Sequence, residues 1–272
     1  AFSWYAEPII DCATIKEISE KNSELNETYR YTGEALVTFV DNSAATPAIY
    51  VEDETAAIVI KPETALTKLP AIGDKLTGFF GNIQSTWGMV SFIPSPLDTN
   101  LGKTLSSGNE IDPVVVTLSE LKANAKTYVN ALVRVNGVEF TTEATEFAEG
   151  MQQPVINDGT ESGKLRVFKG TSLIGTSIPT TPVDIMGIST SASAVLVAPR
   201  GAEDIVAQEL GEPELNVTPT KFEMTAGKVG KTTEVGTIHI SAKNMPGAIT
   251  LEVTGANRAM FTTSVAEIKK GS

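Results

Sequence analysis

Short apolar runs, each bounded by Asp, Asn, Pro or Gly, recur along the first part of the chain. Clear examples are Leu36–Val40, Ala48–Val51, Ala57–Ile60 and Leu76–Phe80, which are rich in β-branched and aromatic residues. Such runs are typical of strands, and the bounding residues are those that turns prefer. Their close spacing is that of a small barrel or sandwich, so the pattern predicts an all-β protein.

Only two stretches, residues 14–25 and 118–125, favour a helix. Thr14 and Thr117 stand where they can cap these helices, and Glu17 and Glu120 follow each threonine three residues later. A threonine and a glutamate at this spacing predict a capping box, in which each side chain bonds the backbone of the other residue.

The two helices open two copies of one pattern, spaced by roughly 100 residues. Each copy continues with a glycine-bearing strand, a hairpin that reaches an aspartate, a further strand, and a later strand that closes on glycine. The matched segments are Tyr31–Ala35 with Val135–Glu139, Tyr50–Asp53 with Val155–Asp158, Ala57–Ile60 with Lys164–Val167, and Leu76–Gly81 with Pro182–Gly187. Each copy is long enough to bury its own core, so we interpret the pattern as a domain duplication.

This pattern resembles the OB-fold, a five-stranded Greek-key barrel that binds oligonucleotides or oligosaccharides in many proteins. The resemblance covers residues 14–207 and includes Gly73-Asp74-Lys75 before a strand that closes at Gly81. Glycine suits a small barrel because its strands must bend sharply. The second copy departs from the pattern, since Thr180-Thr181-Pro182 stands where the first has its Gly-Asp pair.

The repeated pattern ends before Gly211-Glu212-Pro213, which we interpret as a linker. Strands predicted at 234–241, 249–254 and 260–263 resemble the immunoglobulin-like repeats of secreted multidomain proteins of Gram-negative bacteria. Such a sandwich needs about 100 residues and seven strands, so this module is either reduced or incomplete. The predicted domains are 1–110 and 111–210, the two OB-like barrels, and 211–272, the partial immunoglobulin-like sandwich.

The charge of the chain bears on its partners. The net charge is −12, from 33 acidic and 21 basic residues, and the lysines are mostly spaced singly. A surface of this kind repels polyanions, so nucleic acid is an unlikely partner. No apolar run reaches the length of a membrane helix.

The cellular location is predicted from weaker signals. Cys12 is the only cysteine, so the chain can form no internal disulfide and its redox compartment stays open. The chain begins Ala1-Phe2-Ser3, which favours removal of a signal segment or a trimmed start. We expect an exported protein, periplasmic or on the outer cell surface, and a lipid anchor upstream of the chain is compatible with this.

Aromatic residues are concentrated in the first barrel and supply the candidate ligand contacts. Trp87, in the turn-like Ser85-Thr86-Trp87-Gly88, is the leading candidate, followed by Tyr50 and Tyr31. Such side chains stack on sugar rings or bases when they lie on the exposed face of an OB barrel. Aromatic residues in strands are more often part of the core, and that alternative stays open for all three.

The acidic run Glu52, Asp53 and Glu54 is a weak candidate for calcium. It lacks the regular ligand spacing of a calcium loop, and Asp is also what a hairpin turn prefers, so we favour the structural interpretation. No other metal site and no cofactor are predicted.

No residue is predicted to be catalytic. His239 is the only histidine and alternates with Ile238 and Ile240 in a predicted strand, so it is interpreted as a surface residue. Glu143, Glu146 and Glu149 could supply paired carboxylates, but their spacing by three is more typical of a solvated surface.

The sequence therefore predicts an exported, non-catalytic binding or scaffold protein with a glycan or protein ligand. One alternative is the accessory domain of a hydrolase whose catalytic part is missing or carboxylate-based. A second alternative is an OB-type binder of single-stranded nucleic acid, and a third is a purely structural module without a small ligand.

Overall fold

The computed structural model describes residues 8–150, 154–208, 214–221, 236–243, 249–256, 258–263 and 267–268. The chain forms two compact units, Ala1–Gln208 and Glu209–Ser272. The first unit contains two barrels.

The first barrel is built from nine strands and one short helix. Its elements are β1 (Ile10–Cys12), α1 (Ile15–Ser19), β2 (Tyr29–Tyr31), β3 (Ala35–Asp41), β4 (Ala48–Glu52), β5 (Ala57–Ile60), β6 (Lys75–Thr77), β7 (Phe80–Thr86), β8 (Met89–Pro94) and β9 (Lys103–Ser106). A 3₁₀ turn, Ser23–Leu25, follows α1.

The sheet closes because two bent segments pair with each other twice. Segment 29–41 carries β2 and β3, and segment 75–86 carries β6 and β7; β2 pairs with β7 while β3 pairs with β6. The remaining order is β3-β4-β5-β8-β7, with β5 and β8 parallel. Gly78, at φ 76°, lies between β6 and β7 and permits the bend.

The second barrel repeats this order in simpler form. Its elements are β10 (Val114–Val115), α2 (Leu118–Ala123), α3 (Ala125–Tyr128), β11 (Leu132–Thr141), β12 (Val155–Asn157), β13 (Ser162–Leu165), β14 (Val183–Ser189), β15 (Leu196–Ala198) and β16 (Ile205–Ala207). The long strand β11 pairs with both β12 and β14, and β13 runs parallel to β15, so the ring again closes. The predicted all-β fold with two OB-like barrels is confirmed.

Matching hydrogen bonds join the helix and hairpin of each barrel. Asp53 Oδ2 accepts from the amide of Ile15 at 2.7 Å, and Asp158 Oδ2 accepts from the amide of Leu118 at 2.7 Å. Both predicted capping boxes are present, at Thr14 and at Thr117. The aspartate thus ties the start of the helix to the hairpin in each copy, which accounts for the recurrence of these residues.

The predicted helices differ from the structure at their C-terminal ends. Helix α1 ends at Ser19, well short of residue 25, because the Asn22 side chain accepts from the Glu24 amide and opens a separate 3₁₀ turn. In the second copy, α3 extends the helical stretch to Tyr128. Capping chemistry therefore located the helix starts better than the helix ends.

Each barrel has a core of its own. The first is filled by a largely aromatic and isoleucine cluster that includes Tyr29, Tyr31, Phe79 and Phe92. The second is filled mainly by valine and leucine, with Phe147 as its fully enclosed aromatic residue.

A third buried cluster joins the two barrels. The first barrel contributes Phe39, Tyr50 and Val59, and the second contributes Phe168 and Ile188 among others. The ring of Phe168 lies 5.3 Å from that of Phe39 and 6.2 Å from that of Tyr50, measured between centroids. We call this cluster the joint.

Two polar contacts flank the joint. Glu52 Oε2 accepts from the Leu132 amide at 3.2 Å, and Arg200 Nη1 donates to the Thr38 carbonyl at 3.0 Å. Arg200 is held in place by two further bonds to the buried carboxylate of Asp204, at 2.9 and 2.8 Å. The barrels are therefore fixed to each other by both apolar and polar contacts.

In the second unit, the described residues form two small ribbons. Strand β17 (Glu214–Thr218) pairs antiparallel with β18 (His239–Lys243), and β19 (Ile249–Thr250) pairs antiparallel with β20 (Glu267–Ile268). Of the strands predicted at 234–241 and 249–254, the first begins only at His239 and the second ends at Thr250. The strand predicted at 260–263 is wrong, because Arg258–Met260 forms a 3₁₀ turn and 261–263 are irregular.

Two features of this region stay predictions. The linker 211–213 lies outside the described residues, and so do residues 234 and 235 of the predicted strand. The immunoglobulin-like assignment of this unit stays a prediction.

Within the described residues, no helix is both long and apolar enough to cross a membrane.

Candidate functional site

The hairpin formed by β7 and β8 presents the most exposed large apolar side chain among the described residues. Its strands pair from Gly81 with Pro94 to Thr86 with Met89, which leaves Trp87 and Gly88 as the turn. The side chain of Ile83 is buried, whereas residues 84–88 at the end of the hairpin are exposed. Trp87 is 91% exposed, so its indole ring stands in solvent at the tip.

The backbone of this turn is left-handed at both central positions, with φ of 51° at Trp87 and 77° at Gly88. Two consecutive positive φ values define a type I′ turn, whose first position favours Asn, Asp or Gly. A bulky side chain in this region costs roughly 1–2 kcal/mol. Trp87 is therefore unfavourable twice, in its backbone conformation and in its exposed apolar surface.

The hairpin that carries Trp87 has no charged side chain. Residues 80–94 contain no Asp, Glu, Lys or Arg, and Gln84, Ser85 and Thr86 are exposed on the approach to the turn. The tip thus combines a ring that can stack with hydroxyl and amide groups that can donate and accept hydrogen bonds.

Tyr31 is buried inside the first barrel. It is 1% exposed, its ring stacks on Phe79 at 4.9 Å, and its hydroxyl donates to Asp53 Oδ2 at 3.0 Å. Burial, and then the negative charge of Asp53, raise the pKa of Tyr31 far above its usual value. Its ring is enclosed by protein, and its predicted ligand contact stays a prediction.

Tyr50 is buried in the joint. It is 7% exposed and its ring packs against Phe39 and Phe168. Burial raises the pKa of Tyr50 to about 12. Of the three predicted aromatic contacts, only Trp87 offers its ring to solvent.

The joint also covers a surface that OB-folds use for ligands. The outer face of the second and third barrel strands is a common ligand surface in this fold. In the first barrel these strands are β4 and β5, and Tyr50 and Val59 of that face lie under the second barrel. In the second barrel, Val155 pairs with Lys164 as Tyr50 pairs with Val59, and both residues are exposed. The strand equivalent to β5 is therefore β13 (Ser162–Leu165), and the predicted match of Ala57–Ile60 with Lys164–Val167 is wrong by two residues.

The acidic run is divided between three environments. Asp53 Oδ1 accepts from Thr55 Oγ1 at 2.6 Å and from the amides of Thr55 and Ala56. Burial acts to raise the pKa of Asp53, but these bonds and the one from Ile15 outweigh it and hold the pKa below its ordinary value. All of these bonds serve the hairpin and the helix.

The other two acidic residues lie outside this network. Glu52 faces the joint, where burial raises its pKa against the opposing effects of the Leu132 amide and Arg200. Glu54 is exposed. The described residues contain no cluster of three or more His, Cys, Asp or Glu side chains suited to a metal ion, and the weak calcium assignment stays a prediction.

The remaining candidates are dispersed. His239 lies exposed in β18, and Glu143, Glu146 and Glu149 lie in the segment between β11 and β12. Cys12 is buried in β1, and burial raises the pKa of its thiol, so the thiol is poorly suited to act as a nucleophile.

Sequence reasoning missed the residues of the joint, above all Phe168 and Arg200. Phe168 follows a strand of the second barrel, but nothing in its local sequence distinguishes a contact with the other barrel from ordinary core packing. Arg200 follows Pro199 near the end of the barrel and carries no local motif. Their roles depend on how the barrels pack, which a single sequence does not display.

No protein-family model and no curated protein matches the chain. Among solved structures, the chain is similar to the crystal structure of the tetrameric p202 HIN2, with 10% identity, a TM-score of 0.32 and coverage of 68% of this chain and 97% of that one. It is also similar to a replication protein A heterotrimer bound to single-stranded DNA, with 13% identity, a TM-score of 0.24 and coverage of 69% and 52%. Both TM-scores are below 0.5, so neither likeness indicates what this chain binds.

Proposed function

We propose that the chain is a non-catalytic binding protein and that the tip of the β7–β8 hairpin contacts a neutral glycan. The observation that carries the proposal is the position of Trp87, fully projected into solvent on a left-handed backbone. Strain of this kind persists where function requires it, and an exposed tryptophan is a common platform for a sugar ring.

The lack of charge on the hairpin favours a neutral ligand. Residues 80–94 carry no cation to meet a phosphate and no carboxylate to meet a cationic peptide. Exposed Gln84, Ser85 and Thr86 instead supply the hydrogen-bonding groups that sugar hydroxyls require. With the β4–β5 face covered, the hairpin tip is the most exposed aromatic surface among the described residues of this barrel.

Single-stranded nucleic acid is the second candidate, because the OB-fold commonly binds it. It requires cations along the backbone path and exposed rings for the bases. The chain has a net charge of −12, and Tyr31 and Tyr50 are enclosed, which favours the glycan. The accessory role to a hydrolase, a protein ligand and the predicted export stay open predictions.

The proposal is tested with an array of neutral oligosaccharides and the full chain, comparing wild type with Trp87→Ala. Loss of one stacking contact of about 1–3 kcal/mol corresponds to a loss of affinity of roughly 5- to 150-fold. The matched control is Leu97→Ala, because Leu97 is also a highly exposed apolar residue, at 86%, but lies outside the hairpin. Its affinity is expected to equal that of wild type.

Three outcomes would overturn the proposal. The first is the absence of any neutral glycan ligand on the array, and the second is binding that survives in Trp87→Ala. The third is tight binding to single-stranded DNA that weakens steeply with added salt, which would favour the nucleic-acid alternative.

A further inference from the structure

A small polar cavity lies on the first barrel, and none of its lining residues belongs to the β7–β8 hairpin. It has a volume of about 190 Å³ and is lined by Lys68, Pro70, Asn100, Gly102 and Thr104. Ligand pockets for drug-sized molecules measure about 300–1,000 Å³, so this cavity suits a ligand of one ring or less.

The walls of the cavity are two loops that are tied together. The Thr67 amide donates to the Thr99 carbonyl at 2.8 Å, and the hydroxyls of Thr67 and Thr99 lie 3.0 Å apart. One wall comes from the segment between β5 and β6, and the other from the segment that leads into β9. One backbone and one side-chain hydrogen bond therefore hold the two walls beside each other.

The second wall is bent by two consecutive left-handed residues, Leu101 at φ 53° and Gly102 at φ 65°. The Leu101 side chain is completely buried in the first barrel's core, which fixes the bend. A Cβ on Gly102 would lie 2.1 Å from the Thr77 carbonyl oxygen, so no other residue fits there. Strained bends of this kind are frequent at ligand sites.

Each polar side chain of the lining can donate a hydrogen bond. Lys68 supplies an ammonium group, Asn100 an amide and Thr104 a hydroxyl, while no carboxylate lines the cavity. Among the described residues, Lys68 takes part in none of the ion pairs. The adjacent Asp98 is buried, and its two oxygens accept from the Phe80 and Gly102 amides.

We infer that this cavity binds a small oxyanion, either the carboxylate of a single sugar acid or a phosphate group. The ammonium group of Lys68 meets the oxyanion, while Asn100 and Thr104 hydrogen-bond its remaining oxygens or the hydroxyls of an attached ring. The site is independent of Trp87 and of the glycan proposed for the hairpin.

The test is a titration of the ¹⁵N-labelled full chain, followed by amide chemical shifts. Glucuronate and glucose form a matched pair that differs by the carboxylate, and inorganic phosphate probes the oxyanion without a ring. Saturable shifts at Asn100, Gly102 and Thr104 are expected with glucuronate but not with glucose. Saturation by phosphate as well would identify the oxyanion as sufficient, whereas saturation by glucuronate alone would add the ring to the recognised group.

The variant Lys68→Gln removes the ammonium group, and its affinity for glucuronate, measured from the same shifts, is expected to fall at least tenfold. Lys126→Gln is the matched control, because it removes one lysine charge from an exposed position on α3 of the second barrel. Its affinity for glucuronate should equal that of wild type. Two results would overturn the inference. One is an absence of saturable shifts with both anions, and the other is unchanged affinity in Lys68→Gln.

Discussion

The two barrels have the same strand order but differ in what their outer surfaces contact. Both close in the same strand order, and both tie a capped helix to a hairpin through one aspartate, Asp53 or Asp158. The first barrel gives the outer face of β4 and β5 to the joint, whereas the equivalent face of the second stays exposed. A duplicated fold can therefore conserve its internal bonds while its two copies diverge in what they contact.

The largest expected effect comes from Phe168→Ala, which removes the ring that the second barrel packs against Phe39 and Tyr50. Phe168 is 3% exposed and contacts both Phe39 and Tyr50. Truncation of a buried phenylalanine costs about 3–5 kcal/mol, which urea denaturation would measure. Hydroxyl-radical footprinting should also show increased oxidation at Tyr50, because its covering ring is removed.

Phe147→Ala provides the control for the joint. Phe147 is equally buried but belongs to the second barrel's own core. It should lower the free energy of unfolding similarly and leave oxidation of Tyr50 unchanged. Equal oxidation of Tyr50 in the two variants would mean that the joint does not cover the first barrel independently of the second core.

The hairpin aspartates allow a direct comparison of the copies. Asp53→Ala and Asp158→Ala each leave several amides without an acceptor, at about 1–3 kcal/mol for each buried group. Asp53 carries one extra bond, from the buried hydroxyl of Tyr31, where the second copy has Val135. Asp53→Ala should therefore lose about 1 kcal/mol or more beyond Asp158→Ala in denaturation experiments.

The extra loss can be assigned with Tyr31→Phe. In that background the hydroxyl is gone, so the difference between the two alanine variants should shrink toward zero. A difference that persists unchanged would show that the Tyr31 bond is not its source.

These aspartates are among the features that the sequence predicts. The aspartate, the caps and the bent glycine strands are local requirements, so they recur in both copies and predict the barrels. The helix ends were less well predicted, because the Asn22 cap competes with continuation of α1. Trp87 was identified by its turn-like neighbours, but its left-handed backbone and full exposure needed the structure.

The joint was beyond prediction for a different physical reason. Tyr50 has the same strand pattern whether its outward face meets solvent, a ligand or another barrel. Only the packing of residues distant in sequence, such as Phe168, decides between these environments. The cavity beside Lys68 likewise depends on two segments that meet only in the fold.

A smaller effect is expected from Glu52→Gln, which tests the polar edge of the joint. Burial raises the pKa of Glu52 in the folded state, so its contribution is favourable below the ordinary glutamate pKa of about 4.3 and is lost as pH rises through the folded pKa. The glutamine keeps an acceptor for the Leu132 amide without a charge. Its melting temperature relative to wild type should therefore increase as pH rises from about 4 to 7.

Glu54→Gln is the matched control, because Glu54 is exposed on the same hairpin and lies outside the joint. Its melting temperature relative to wild type should stay nearly constant over the same pH range. A flat difference for Glu52→Gln as well would mean that the carboxyl is not desolvated by the second barrel.

The smallest expected effect, and the one opposite in sign, concerns Trp87→Asn. Asn-Gly is the preferred pair for a type I′ turn, so asparagine relieves the left-handed strain at φ 51° and should stabilise the protein by about 0.5–1 kcal/mol. Denaturation would measure the gain, and the glycan array would measure the loss of binding in the same variant. Val155→Asn, on the exposed face of the second barrel, controls for a general effect of the substitution. A variant that is more stable and yet unable to bind would mean that the first barrel keeps a strained turn for its ligand, whereas a less stable one would contradict the strain argument.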